Sequence, residues 1–154
     1  MDTLKAEPLD AASFAPFGHV LDLSAPSLTL LDELQNLRPG ARARLSLATV
    51  EPIGLPLRVE EMERHAFSSQ AFVPREVSRY LILVAPPGPT APELSAIRAF
   101  IVPGTLGIIY RANTWHHPMR TLDRPGSFAV VTFVDGTQDD EEFRPVPRIF
   151  QVDD

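Results

Sequence analysis

Proline and glycine recur along the whole chain, sixteen and eight times in 154 residues, and this constrains the fold more than any other feature. A proline inside a helix removes a hydrogen-bond donor and clashes with the preceding turn, so long helices are disfavoured here. Short extended segments between turns remain, the pattern of an all-β sandwich or barrel. One domain spanning 1–154 is expected, long enough to bury a core without staples.

The charge pattern narrows the partners. The formal net charge is −6, and the arginines are scattered singly, so no basic surface exists to grip nucleic acid. The one dense charge run, Asp139-Asp140-Glu141-Glu142, reads as a solvated turn or tail. The chain has no cysteine, which excludes disulfides, thiolate metal sites and cysteine nucleophiles. MDTLKAEPLD has neither the charged start nor the apolar run of a secretory leader. No apolar stretch reaches the ~18–20 residues that span a bilayer. The expectation is a cytoplasmic protein with no membrane partner.

Local patterns place the elements. Asp10 is positioned to cap a short helix over Ala11–Phe14, stopped by Pro16 and Gly18. His19-Val20-Leu21 reads as a strand, and Leu28 to Leu37 has apolar residues at helical spacing, ended by Pro39-Gly40. Two-residue alternation then predicts strands over Ala43–Val50, Leu57–Glu63, Ile97–Val102, Gly107–Tyr110, Thr114–Met119 and Ser127–Val134. Ser78–Ala85 is nearly all apolar and reads as a strand buried on both faces. The tail from Asp135 is expected to wander over the surface or clasp a partner chain.

Polar residues on inward-facing strand positions need partners, which makes them candidates for a site. Glu63 and His65 lie two apart and share a face, while Arg64 points the other way. Gln70 follows after the small turn residues Ser68-Ser69. Farther on, Thr114-Trp115-His116-His117-Pro118 sets two histidines side by side, of which alternation sends only one to a given face.

The two segments resemble the cupin motifs HxH(x)3–4E and PxGxxHxxxN, here written Glu63-x-His65-x4-Gln70 and Arg111-x-Asn113-x2-His116. At family level MERHAFSSQAFVP, APFG, LSAIRAFIVP and TWHHP are similar to ureidoglycolate lyases, from about Leu4 to Val134. The resemblance implies a cupin-type double-stranded β-helix, a jelly-roll barrel with one or two short helices near the N-terminus. It also implies a likeness in assembly and chemistry: a homodimer that splits ureidoglycolate, in purine and allantoin catabolism, into glyoxylate and urea with a divalent metal as helper. The family segment NYHRGTWHHP reads IYRANTWHHP here, keeping Tyr110 but carrying Arg111 and Ala112 in place of His and Arg. Its Arg-x-His-Asp stretch is represented by Ala43-Arg44-Leu45-Ser46, and its late Asp-Arg pair by Thr132-Phe133.

On that resemblance Glu63, His65, Gln70 and His116 surround a metal, with Ni, Zn or Mn all suited to a mixed nitrogen and oxygen set. His116, Tyr110 and Glu63 are the catalytic candidates; Arg111, Gln70 and Tyr110 are the candidates for holding a small carboxylate substrate. Two bland readings stand beside these. His65 and His116 could be core histidines bonded to each other or to Glu63 with no ion, and the chain could be a non-catalytic cupin that binds a small carboxylate. Trp115 reads as packing, and His117, His19 and Arg64 as surface or interface residues.

Overall fold

The computed structural model describes residues 1–24 and 28–154. In chain order the elements are β1 (Asp2–Lys5), β2 (Glu7–Pro8), α1 (Ala11–Phe14), β3 (Gly18–Asp22), β4 (Arg42–Val50), β5 (Leu57–His65), β6 (Gln70–Glu76) and β7 (Arg79–Ala85). A single 3-10 turn at Leu94–Ala96 leads to β8 (Arg98–Pro103), β9 (Leu106–Tyr110), β10 (Trp115–His116), β11 (Arg120–Leu122), β12 (Gly126–Val134) and β13 (Glu141–Asp153). One sheet runs β1-β13-β5-β10-β7-β8-β2, with β11 also on β7; the other runs β3-β9-β6-β12-β4. The two sheets enclose a shared core in the manner of a cupin-type β-barrel.

That core explains the apolar patterning. Tyr80, Ile82 and Val84 on β7 face Phe128 and Val130 on β12 and Ile108 and Tyr110 on β9, with Phe14 and Phe17 closing one end. Phe14 reaches it because Asp10 caps α1 as expected, accepting a 2.8 Å hydrogen bond from the Ser13 amide. The alternate residues Leu81, Leu83 and Ala85 of β7 join Trp115, Val146 and Phe150 in a second cluster on the other face of the larger sheet. β7 is therefore buried on both faces, as its continuous apolar run requires.

Three expectations are corrected. Leu28–Leu37 forms no helix: it is irregular, with Leu28, Leu30 and Leu37 all more than half exposed. Its backbone is spent on the loop after β5, through Leu37 N–H to the Phe67 carbonyl (2.8 Å), Ser69 N–H to the Gln35 carbonyl (3.0 Å) and Gln35 N–H to Ser69 Oγ (2.7 Å). A helix of this length is marginal without a body to pack on, and these long-range bonds replace the helical ones. The tail from Asp135 does not wander: β13 pairs antiparallel with β5 and parallel with β1. Its prolines, Pro145 and Pro147, stand at and within a register shift between Pro145 and Phe150. Finally, the strand expected over Thr114–Met119 shortens to Trp115–His116, and Gln70–Glu76 is a further strand that the sequence patterning left unassigned.

Candidate active site

Strand alternation and register assemble the polar cluster. Glu63 and His65 project from one face of β5, and the intervening Arg64 goes to the other. There Arg64 is buried rather than a surface charge, stacking 4.4 Å over Trp115 and donating from Nε to Glu142 at 2.8 Å. The short strand β10 fits between β5 and β7, which sets His116 directly opposite Glu63. His117 is turned out of the cluster, its Nδ1 at 2.9 Å from the Pro118 carbonyl oxygen.

Glu63 is the hub. Its Oε1 lies 3.3 Å from His116 Nε2 and 3.7 Å from His65 Nε2. The His65 and His116 rings stack at 5.5 Å, and Tyr110 lies nearly parallel beneath His116 at 4.6 Å. Asp140 reaches the far side of His65, with Oδ2 3.7 Å from Nδ1. Burial alone would raise the Glu63 carboxyl, but the contacts with His116 and then His65 outweigh it and hold it at about 2. Burial works to lower the His65 imidazole, yet Glu63, Asp140 and Glu141 prevail and raise it. Tyr110 is pushed well above its ordinary value, chiefly by burial, and stays a neutral phenol.

Beside this cluster opens a cavity of about 280 Å3, lined by Glu63, His65 and Gln70 together with Arg38, Arg44, Ser46, Ser68, Ser69, Thr132 and Asp140. Gln70 stands directly across from Tyr110, at the start of β6. The Gln70 Oε1, the Tyr110 hydroxyl and His65 Nε2 are all buried without a hydrogen-bond partner. Arg111 is not brought to the cavity: it is exposed, and its guanidinium donates to the Ala15 carbonyl at 3.0 Å. So Glu63, His65 and His116 converge, Gln70 shares the cavity wall with the first two, Tyr110 supports His116 from behind, and Arg111 stands apart.

A group of three side chains that could hold a divalent cation is present. One ligand atom each from Glu63, His65 and His116 lies within 4.8 Å of the others, and the unpartnered Gln70 oxygen belongs to a residue lining the same cavity as Glu63 and His65. Two imidazoles and a carboxylate suit a borderline ion, so these residues fit such a group.

Several residues escaped the sequence reading. Asp140, from the supposedly solvated acidic run, is buried; it accepts from the Phe67 amide at 2.6 Å and from the Ser68 hydroxyl. Arg38 ties the loops over the cavity, meeting Asp135 at 2.9 Å and donating to the Phe133 carbonyl at 3.0 Å. Gln35 Oε1 accepts from the Ala112 amide at 2.7 Å. No local signal marks these three, since their partners lie far away in the chain. Arg44 and Ser46 share the parity of Ala48 and Val50, which pack against the core, but it is the pairing of β4 with β12 that brings them to the cavity.

Comparison with known proteins decides the lineage. The family model described as ureidoglycolate lyase matches residues 1–152. This chain belongs to the ureidoglycolate lyase family. Among curated relatives, ureidoglycolate lyase of Pseudomonas aeruginosa is 34% identical over 142 residues, covering 85% of this chain and 83% of the relative. The lyase of Azotobacter vinelandii is 35% identical with 85% of each chain covered, and that of Pseudomonas syringae is 35% identical over 142 residues. The likeness thus takes in both motif segments of the barrel and makes the chain one of a family of lyases.

Proposed function

We propose that this protein releases urea from ureidoglycolate, leaving glyoxylate, in the cavity beside Glu63, His65 and His116. The observation that supports this most is the convergence of those three side chains, from two strands distant in sequence, beside a cavity sized for a small acid, in a chain of this family. Ureidoglycolate carries a hydroxyl and a ureido nitrogen on one carbon. Cleavage requires the hydroxyl proton to leave as the C–N bond breaks and the departing nitrogen to gain a proton.

The cluster is built to hold and return a proton. His65 faces the cavity between Glu63 and Asp140, and both carboxylates favour its charged form. It takes the hydroxyl proton at Nε2 and gives a proton to the departing nitrogen, with Glu63 holding the charge in place. Tyr110, stacked on His116, positions that ring, and the Gln70 side-chain oxygen offers an acceptor on the cavity wall. A divalent ion held by Glu63, His65 and His116 would take up the His65 lone pair and, in place of that proton route, acidify the substrate hydroxyl and balance the charge that develops on it. Glyoxylate and urea appearing from ureidoglycolate with the purified protein, with and without added Ni, Zn or Mn, is the test. Absence of both products under every condition removes the assignment.

The homodimer implied by the resemblance has a candidate face. Cross-strand register places Leu45, Val131, Ala71 and Ile109 in one row on the side of the smaller sheet away from the barrel core, with Leu47 and Val73 beside them. Leu45 and Leu47 are 70% and 67% exposed. A second copy covering this row would bury them, as apolar faces of this kind are buried in oligomers.

A further inference from the structure

Strand β4 has its polarity inverted. Leu45 and Leu47 point to solvent, while Arg44 and Ser46 take the alternate positions, in line with the core-packed Ala48 and Val50. Register extends the Arg44 row: it pairs with Thr132 on β12, and on the neighbouring strands the same face carries Gln70 opposite Tyr110. Arg44 thereby lines the cavity wall on the side away from Glu63's strand.

Arg44 puts a cation on that wall. Among the described residues it makes no ion pair or hydrogen bond, whereas Arg38 is spent on Asp135, Asp140 and the Phe133 carbonyl, and Arg111 on Ala15. Glu63, Asp140 and Glu141 line the same cavity and would repel an anion entering it uncompensated. A guanidinium offers a planar fork of donors matched to a carboxylate.

We propose that Arg44 holds the substrate's carboxylate and so makes the site selective for 2-hydroxy acids over uncharged carbinolamines. This inference deepens the lyase reading above and rests on the substrate bearing a carboxylate. Arg44 orients the acid end on the β4 wall, so that the hydroxyl and ureido nitrogen face His65 and Glu63.

The test uses the full chain and two probes. Glycolate binding, measured by calorimetry, should weaken about 10- to 100-fold in Arg44→Ala and recover in part in Arg44→Lys. Arg124→Ala, an exposed arginine outside the cavity, should bind as the unchanged protein does. In turnover, Arg44→Ala should raise KM for ureidoglycolate by a similar factor, with kcat held within a few-fold, and leave KM for N-(hydroxymethyl)urea unchanged. Thermal melts of each variant check that the barrel is intact. Glycolate binding that is absent, or equal in Arg44→Ala and the unchanged protein, overturns the proposal. Binding that depends on Arg44 without any ureidoglycolate turnover would sink the lyase reading and leave the carboxylate site standing.

Discussion

His116 is held at both ring nitrogens by acceptors: Nδ1 lies 3.1 Å from the Thr114 carbonyl oxygen and Nε2 lies 3.3 Å from Glu63 Oε1. A carbonyl only accepts, so Nδ1 carries a hydrogen, and a neutral ring would then turn a lone pair toward the Glu63 carboxylate. A hydrogen on Nε2 or a bound cation between the two makes the contact favourable. Proton and metal therefore compete for one place.

That competition predicts pH-dependent metal binding. Zn or Ni should bind near neutral pH with one ion per chain, and affinity should fall steadily as pH is lowered. Glu63→Gln, which keeps the shape but removes the charge, should weaken binding by at least about 10-fold. Calorimetric titration at several pH values checks this, and an affinity independent of pH would contradict the shared site.

The metal-free protein should lose stability in acid through Glu63. Its carboxyl is held at about 2 in the folded state against an ordinary value of 4.5. A depressed acid stabilises fully above its unfolded value, and that contribution disappears as pH falls from about 4.5 toward 2. His65 is raised and works in the opposite sense, its contribution complete below about 6.5 and lost as pH climbs through the folded value. Urea unfolding of the chelator-treated protein should therefore show Glu63→Gln flattening the acid limb.

Removing Asp140 should be costly even though it sits in an acidic run. Asp140→Ala strands the Phe67 amide and the Ser68 hydroxyl and removes a carboxylate from Arg38 and His65. The expected loss is about 2–4 kcal/mol in urea unfolding. Asp140→Asn, which keeps one acceptor for the Phe67 amide, should lose less.

Gln35 should act locally. Gln35→Ala deletes the bond from the Ala112 amide while the backbone bonds to Ser69 remain. Amide exchange should speed up over residues 28–38 and at Ala112, with global unfolding changed by no more than about 1 kcal/mol.

The apolar row on the smaller sheet should set the assembly. A Leu45→Glu, Leu47→Glu double variant should sediment as a monomer and keep its barrel, because both side chains point away from the core. An unchanged sedimentation coefficient would place any interface elsewhere.

Much of the barrel was legible because its cause is local. Alternation fixed the strand that carries Glu63 and His65 together and Arg64 apart, and an unbroken apolar run marked β7 as buried on both faces. Asp10 announced its helix by a bond three residues long. By contrast, helical spacing in Leu28–Leu37 promised a helix that the loop at Phe67–Ser69 overrode with long-range hydrogen bonds. The acidic run gave no hint that Asp140 would be buried, since its partners at Phe67, Ser68 and His65 are more than seventy residues away.

The sequence alone thus determined the fold class, through local periodicity, and the lineage, through the likeness of its motif segments to a known family, and it put forward Glu63, His65, Gln70 and His116 as candidates. Only the tertiary structure decided which arginine faces the cavity. Arg111 adjoins the motif in sequence yet turns to Ala15, while Arg44, remote from both motifs, is carried to the cavity by the pairing of β4 with β12. Register between strands distant in the chain is set by the whole core at once, and no local pattern encodes it.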